Sequence, residues 1–180
     1  MPSSQNIIKP LNLGDPAIRA YSDALLDRAF GIGRRTKTSY RFREGEQPVE
    51  GLSLAIFGTE DDTVPAAIIS YWHLFIGKEG HKAIMLGPLA VEPNLQGKGY
   101  GRELMRHSLA RATEMGHRLV ILVGDEPYYG PFGFSRVPEK RLLLPGPVDP
   151  ARLLYCELEA GSFDAVSGLV LPPSRYREAR

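Results

Sequence analysis

Apolar and polar positions along this chain follow two different periods, and the switches between them outline an order of helices and strands. From Pro16 to Phe30, Ala17, Tyr21, Leu25 and Ala29 recur every fourth residue and form one helical stripe. Asp15 is placed to cap this helix, Pro16 suits its first position, and Gly31 lies just past its end. Residues 51–58 and 64–76 are apolar and partly β-branched, separated by the charged Glu60, Asp61 and Asp62. That pattern predicts an antiparallel hairpin. Alternation along its second strand puts Tyr71 and His73 on one face and Trp72 on the other. A third strand, 82–91, is interrupted by Gly87-Pro88. Proline has no N–H to give a ladder, so the pair predicts a bulge or a local splay from one neighbour.

After the turn Glu92-Pro93-Asn94 comes a glycine-rich segment, then a helix running to about Met115 and ended by Gly116. Gly101, Leu104, Met105, Ser108 and Ala112 supply its buried face. Leu119–Val123 is wholly apolar, as a strand covered on both faces should be. Strand, helix and strand in succession imply a right-handed parallel crossover. A turn of helix around 127–132 and strands near 134–138 and 153–159 complete a mixed sheet. Residues 31–50 and 138–150, rich in Gly, Pro or charge, read as loops. Neither a repeat nor a linker divides the chain, and a single domain over residues 1–180 is expected.

Composition narrows the function more than the fold. With 43% hydrophobic and 24% charged residues in 180, the chain has enough apolar material for one core. Lys and Arg number 22 against 21 Asp and Glu, a formal charge of +1. That balance argues against a nucleic-acid or membrane binder, which needs a basic face. Any anionic ligand is therefore held locally. Cys156 is the single cysteine, so no intramolecular disulfide and no Cys-rich metal site can form. His81, His107 and His117 are scattered without metal-ligand spacing, and no metal is expected. No run of about 18 apolar residues exists, and Met1–Pro10 lacks the pattern of a signal peptide, which points to the cytoplasm.

The most informative segment is Leu95-Gln96-Gly97-Lys98-Gly99-Tyr100-Gly101-Arg102, three alternate glycines between a strand and a helix N-terminus. Such a loop offers backbone N–H groups without side chains in the way, and the helix dipole favours negative charge. It reads as a pyrophosphate cradle. The spacing matches neither a Walker A loop nor a Rossmann fingerprint, so ATP and NAD are disfavoured.

Gln96, Gly99 and Gly101 also fit Gln/Arg-x-x-Gly-x-Gly/Ala after a strand ending Leu89-Ala90-Val91-Glu92-Pro93. That is the acetyl-CoA signature of the GNAT N-acetyltransferase superfamily. Tyr129-Gly130-Pro131-Phe132-Gly133-Phe134 resembles the Tyr-x-x-x-Gly-Phe that closes the family's core. Within the superfamily the two motifs and their spacing resemble the YhbS-like group. The resemblance is strong over about 84–137 and weak over 1–50; the extension from about 140 to 180 also looks like the group's. It implies a GNAT fold of the α/β (α+β) class: a mixed, mostly antiparallel sheet of about six or seven strands with helices on both faces.

The resemblance further implies acetyl-CoA as cosubstrate and acetyl transfer to a primary amine by direct attack in a ternary complex. The diphosphate would lie on the amides of residues 97–102, with Gln96 closing the loop and Lys98 and Arg102 near the phosphates. The thioester carbonyl would be polarised by a main-chain N–H near Leu89, Ala90 or Val91. Tyr129 takes the position of the acid that serves the departing thiolate, with Tyr128 as the alternate.

The base is less defined. Some members carry a Glu on the strand before the loop, whereas here Ala83–Val91 holds no carboxylate. Asp125 is a candidate for amine binding or proton removal, or equally a helix cap; Glu126 is a further candidate, and Glu92 reads as a brace for the turn. His73 either lines the acceptor pocket or is an ordinary sheet residue. No residue selects the acceptor, and the assembly state is left open, a homodimer included. The rival from another class is an acyl-CoA-binding sensor without catalysis.

Overall fold

In the computed structural model, residues 6–57 and 63–180 are described, and Glu60, Asp61 and Asp62, which separate the two expected hairpin strands, lie outside them. Asp15 accepts hydrogen bonds from the amides of Ala17 (2.8 Å) and Ile18 (3.3 Å), so α1 (Pro16–Phe30) starts where the sequence places it. Such a cap is typically worth about 1 kcal/mol. Gly31, at φ 77°, ends the helix.

Four strands then form a meander: β1 (Ile8–Pro10), β2 (Leu54–Phe57), β3 (Pro65–Ile76) and β4 (His81–Val91) pair antiparallel in that order. The register between β3 and β4 passes from Tyr71 opposite Leu86 to Ile69 opposite Leu89. Gly87 and Pro88, joined by a cis peptide bond, thus stand together opposite Ser70, the expected bulge. Trp72 Nε1 donates to Gly87 O at 2.6 Å and pins it.

From β4 the chain crosses through α3 (Tyr100–Glu114) to β5 (Leu119–Val123), which pairs parallel with β4. After α4 (Glu126–Tyr129) come β6 (Ser135–Arg136), β7 (Leu142–Leu143) and β8 (Leu153–Glu157); β8 lies antiparallel to β5, with β6 on its far edge. Finally β9 (Gly168–Leu171) pairs with β7 and with the end of β3, and α5 (Pro173–Glu178) stacks Tyr176 on Phe75 at 4.6 Å. The sheet has nine strands among the described residues, more than the six or seven expected. The additions β1, β7 and β9 are two to four residues long, too short to carry a readable alternation.

Helices cover both faces. On one, Leu104, Met105, Leu109 and Ala112 of α3 pack on Tyr71, Ile84, Leu86, Val120 and Leu122. On the other, Leu25 and Leu26 of α1 pack on Ala55, Ile68 and Ala90, while Phe42 packs with Leu74, Ile76, Met85 and Ile121. Phe42 belongs to the segment 31–50, which is not the loop its composition suggests. It folds as a 3₁₀ turn (Ile32–Thr36) and a short helix, α2 (Thr38–Arg41), on the α1 face. Its anchors, Phe42 on that face and Val49 in the cluster beneath α3, are isolated apolar residues among polar ones, so no period announces them.

Candidate active site

The site begins where β4 and β5 part. They pair only at Ile84–Val120 and Met85–Ile121, whereas β4 stays on β3 as far as Val91. Beyond Met85 one edge of β4 is therefore open. Glu92 N–H donates to Ala66 O (2.9 Å) on the β3 side. Backbone groups alternate along a strand, so the amide of Ala90 also faces β3, and those of Leu89 and Val91 point into the opening.

A cleft of about 640 Å³ fills this splay, lined by residues from both sheet faces. On the α3 side it is bounded by Gln96, Gly97, Gly99, Tyr100, Gly101 and Arg102. Gly97 and Gly99 have φ of 82° and 90°, a left-handed backbone open to glycine and strained for other residues. Gly99 caps α3 without a side chain, and the amides of Tyr100, Gly101 and Arg102 have no partner within the helix. Together these donors form an anion cradle. Lys98 is exposed and is not among the cleft residues.

The opposite wall carries Val123, Gly124, Tyr128 and Tyr129. A Cβ on Gly124 would collide with the Tyr129 ring at Cε2, so glycine there lets the phenol ring settle against the end of β5. Tyr129 is held edge-on by Tyr128 (4.8 Å) and Phe134 (5.9 Å). Burial, aided by Tyr128 and Asp125, pushes its pKa up to about 12, so the phenol is protonated at neutral pH. Tyr128 diverges from it: its hydroxyl would be 2.7 Å from a Cβ on Gly101, at the start of α3. Burial raises its pKa too, against the pull of Arg102.

Asp125 occupies the N-cap position of α4, but its side chain makes no capping hydrogen bond. Its carbonyl accepts from the amides of Tyr128 and Tyr129, while its carboxylate pairs with Arg152 Nε at 3.1 Å on the exposed rim of the cleft. The capping role is thus corrected to an ion pair. Glu126 pairs with Arg136 and does not line the cleft.

Glu92 braces the molecule rather than the chemistry. It accepts from Tyr21 Oη (2.6 Å) and from the Arg28 guanidinium, tying the end of β4 to α1. The hydrogen bond from Arg28 holds its carboxyl below the usual range, against the effect of burial. A depressed folded pKa means stability that is present above the unfolded value, about 4.3, and is lost as pH falls through the folded one. Glu92→Gln should cost about 1 kcal/mol at pH 7 and flatten that acid limb, as read from melting temperature against pH.

His73 is not a cleft residue. It stands at the surface with its ring 6.0 Å from that of His117, and partial loss of solvent followed by Lys82 holds its pKa below the ordinary value, with Glu46 opposing. Cys156 is buried, and burial with Glu157 pushes its thiol up, away from nucleophilic thiolate. Among the described residues no group of three or more His, Cys, Asp or Glu is placed to hold a metal ion, and no helix is long and apolar enough to cross a membrane. The cleft also holds cations that sequence reasoning passed over, namely Arg34, Lys37, Arg43 and Arg152. The sequence signal of the first three is the run of five cations in residues 34–43; Arg152 stands outside it.

A splayed parallel pair, a glycine-rich turn at the crossing helix and a partly buried tyrosine on the far wall meet in one cleft, and the chain belongs to the GNAT acetyltransferase family. The family's acetyltransferase (GNAT) domain matches residues 20–137. The uncharacterized N-acetyltransferase YhbS of Escherichia coli K12 is 27% identical over 149 residues, 82% of this chain and 86% of that one. The crystal structure of Escherichia coli YhbS in complex with CoA superposes with a TM-score of 0.78 at 24% identity, covering 98% and 94% of the two chains. A GNAT acetyltransferase from Brucella melitensis in complex with acetyl-CoA gives 0.58 at 24% identity over 90% and 100%.

Proposed function

We propose that this protein binds acetyl-CoA in the splay and transfers the acetyl group directly to a primary amine. The observation that carries the reading is the cleft itself, which joins a backbone anion cradle on the α3 face to the α1 face beside a protonated tyrosine. The cradle fits a diphosphate: left-handed glycines and unpaired first-turn amides gather donors where no side chain intrudes, with Arg102 alongside. Gln96, which makes no side-chain hydrogen bond among the described residues, lines the cleft beside the glycines with its amide free for the ligand. Lys98 adds charge from the exposed side.

The amides of Leu89 and Val91, facing the opening, suit the carbonyls of an extended arm. One of them polarises the acyl carbonyl, a donor whose loss typically costs about 2.7–4 kcal/mol in comparable sites. Ala90 contributes its small side chain to the α1-side wall. Bound acetyl-CoA supplies the activated thioester; the chain supplies position and protons. An amine of Lys-like pKa, about 10.4, must lose a proton before attack. Asp125, on the rim, takes it directly or through water. Tyr129 donates a hydrogen bond to the departing sulfur. The buried phenol, at about 12, is a weaker acid than an ordinary thiol at about 8.5, so it stabilises the thiolate without giving up its proton. Cys156, outside the cleft, has no covalent part, and its free thiol suits the reducing cytoplasm.

Acetyl-CoA at about 100 times its Kd should stabilise the fold by roughly 2.7 kcal/mol, and thiol should then be released in the presence of an accepted amine. Binding without thiol release on any amine would replace catalysis with a sensor role; no shift would overturn the reading.

A further inference from the structure

Opposite the cradle, the α1-face part of the cleft is cationic. Arg34, Lys37 and Arg43 line it, and the only carboxylate among the cleft residues is Asp125, itself paired with Arg152. Arg34 is 5% exposed. Its Nε binds Asp27 Oδ1 at 2.8 Å and its Nη2 reaches Asp23 at 3.3 Å, yet its Nη1 is buried with no hydrogen-bond partner. Arg43 stacks 4.7 Å over the Tyr40 ring, and among the described residues neither it nor Lys37 enters an ion pair. Burial, with the like charge of Arg34, lowers the Arg43 pKa to about 10, against the pull of Tyr40 and Asp23.

An unsatisfied buried guanidinium N–H and a neighbouring desolvated cation cost stability in the empty protein. An anion in the cleft offsets the cost at Arg43, while Arg34 adds its charge from the wall behind. That anion is not the cofactor diphosphate, because the two groups lie on opposite faces of the sheet: α3 packs on the face of Tyr71 and Leu86, whereas Phe42, next to Arg43, packs on the face of Met85 and Ile121. Diphosphate and cations are separated by the splay where the acyl group must sit.

We infer that the acceptor is a small amine that also carries a carboxylate or phosphate, held by Arg43 with Arg34 and Lys37 in support, so that its amino group is directed toward the splay. This rests on the acetyltransferase reading and names its substrate class. A guanidinium presents paired donors that match either anion.

Matched pairs of amines test it: 4-aminobutyrate against 4-amino-1-butanol, and 2-aminoethyl phosphate against ethanolamine. The anionic member of at least one pair should be preferred about tenfold or more in kcat/KM, the size of one charge-assisted hydrogen bond; which pair shows the preference separates carboxylate from phosphate. Arg43→Gln should erase most of it, and Arg35→Gln, an exposed residue outside the cleft, should leave it intact. Thermal shift on the CoA-saturated protein reads the same contact without turnover, with the acetyl-CoA shift as the folding control for Arg43→Gln. Stabilisation by an anionic amine, absent with its neutral partner and lost in the variant, supports the inference. Equal response to both members of each pair, no response to either anion, or a preference that survives Arg43→Gln overturns it. Amines acetylated without regard to charge would leave the acetyltransferase reading standing; loss of the acetyl-CoA shift would remove that reading instead.

Discussion

Gly99→Glu is expected to abolish the acetyl-CoA-induced thermal shift, and with it all acetyl-CoA-dependent thiol release. Nothing lies within 4 Å of a Cβ at Gly99, so the loss does not arise from a clash. It arises from two other terms. The backbone at φ 90° is left-handed, which costs a non-glycine residue about 1–2 kcal/mol. The new carboxylate then stands among the amides of the first turn of α3 and satisfies the donors meant for phosphate while repelling it. Gly99→Ala separates the two terms, since it keeps the strain without the charge and should weaken the shift without removing it. Calorimetric titration of acetyl-CoA into both variants checks the order.

Tyr129→Phe, which removes one preorganised hydrogen-bond donor to the developing thiolate, should lower kcat by about 100-fold or more while leaving the acetyl-CoA shift in place. The ring makes the packing contacts with Tyr128, Phe134 and the space over Gly124, and phenylalanine keeps them. Only the hydroxyl goes, and in the proposed mechanism the hydroxyl acts on the leaving sulfur alone. Turnover within twofold of wild type would show that Tyr129 merely packs. Tyr128→Phe makes the comparison specific, because its hydroxyl lies at the start of α3; it should affect acetyl-CoA affinity more than kcat.

The part of the site legible in the sequence was the part built by backbone. Three alternate glycines, a strand end and a Tyr-x-x-x-Gly-Phe run each leave a local mark, and the structure gathers Gln96, the glycines, Arg102 and Tyr129 around one cleft. The bulge at Gly87-Pro88 was visible for the same reason, since proline's missing donor acts on its own strand. What stayed hidden depends on contacts distant in sequence. Asp125 finds Arg152, 27 residues away, instead of capping its own helix. Which amides of β4 face the opening is decided by the register against β3. The segment 31–50 carries the Gly, Pro and charge content of a loop and no readable period, because Phe42 and Val49 are too far apart to show one, and a net charge of only +1 masks its basic run. Near-neutral composition excluded a basic surface; it said nothing about a basic wall inside a cleft.

The central claim is that one cleft carries acetyl-CoA and an amine to direct transfer, and mass spectrometry of a complete reaction mixture tests it most directly. With wild-type protein, acetyl-CoA and an accepted amine, the account predicts acetylated amine in step with released thiol, and a protein whose intact mass is unchanged. Thiol release without acetylated amine, or an acetyl group accumulating on the protein as an obligatory intermediate, would contradict it.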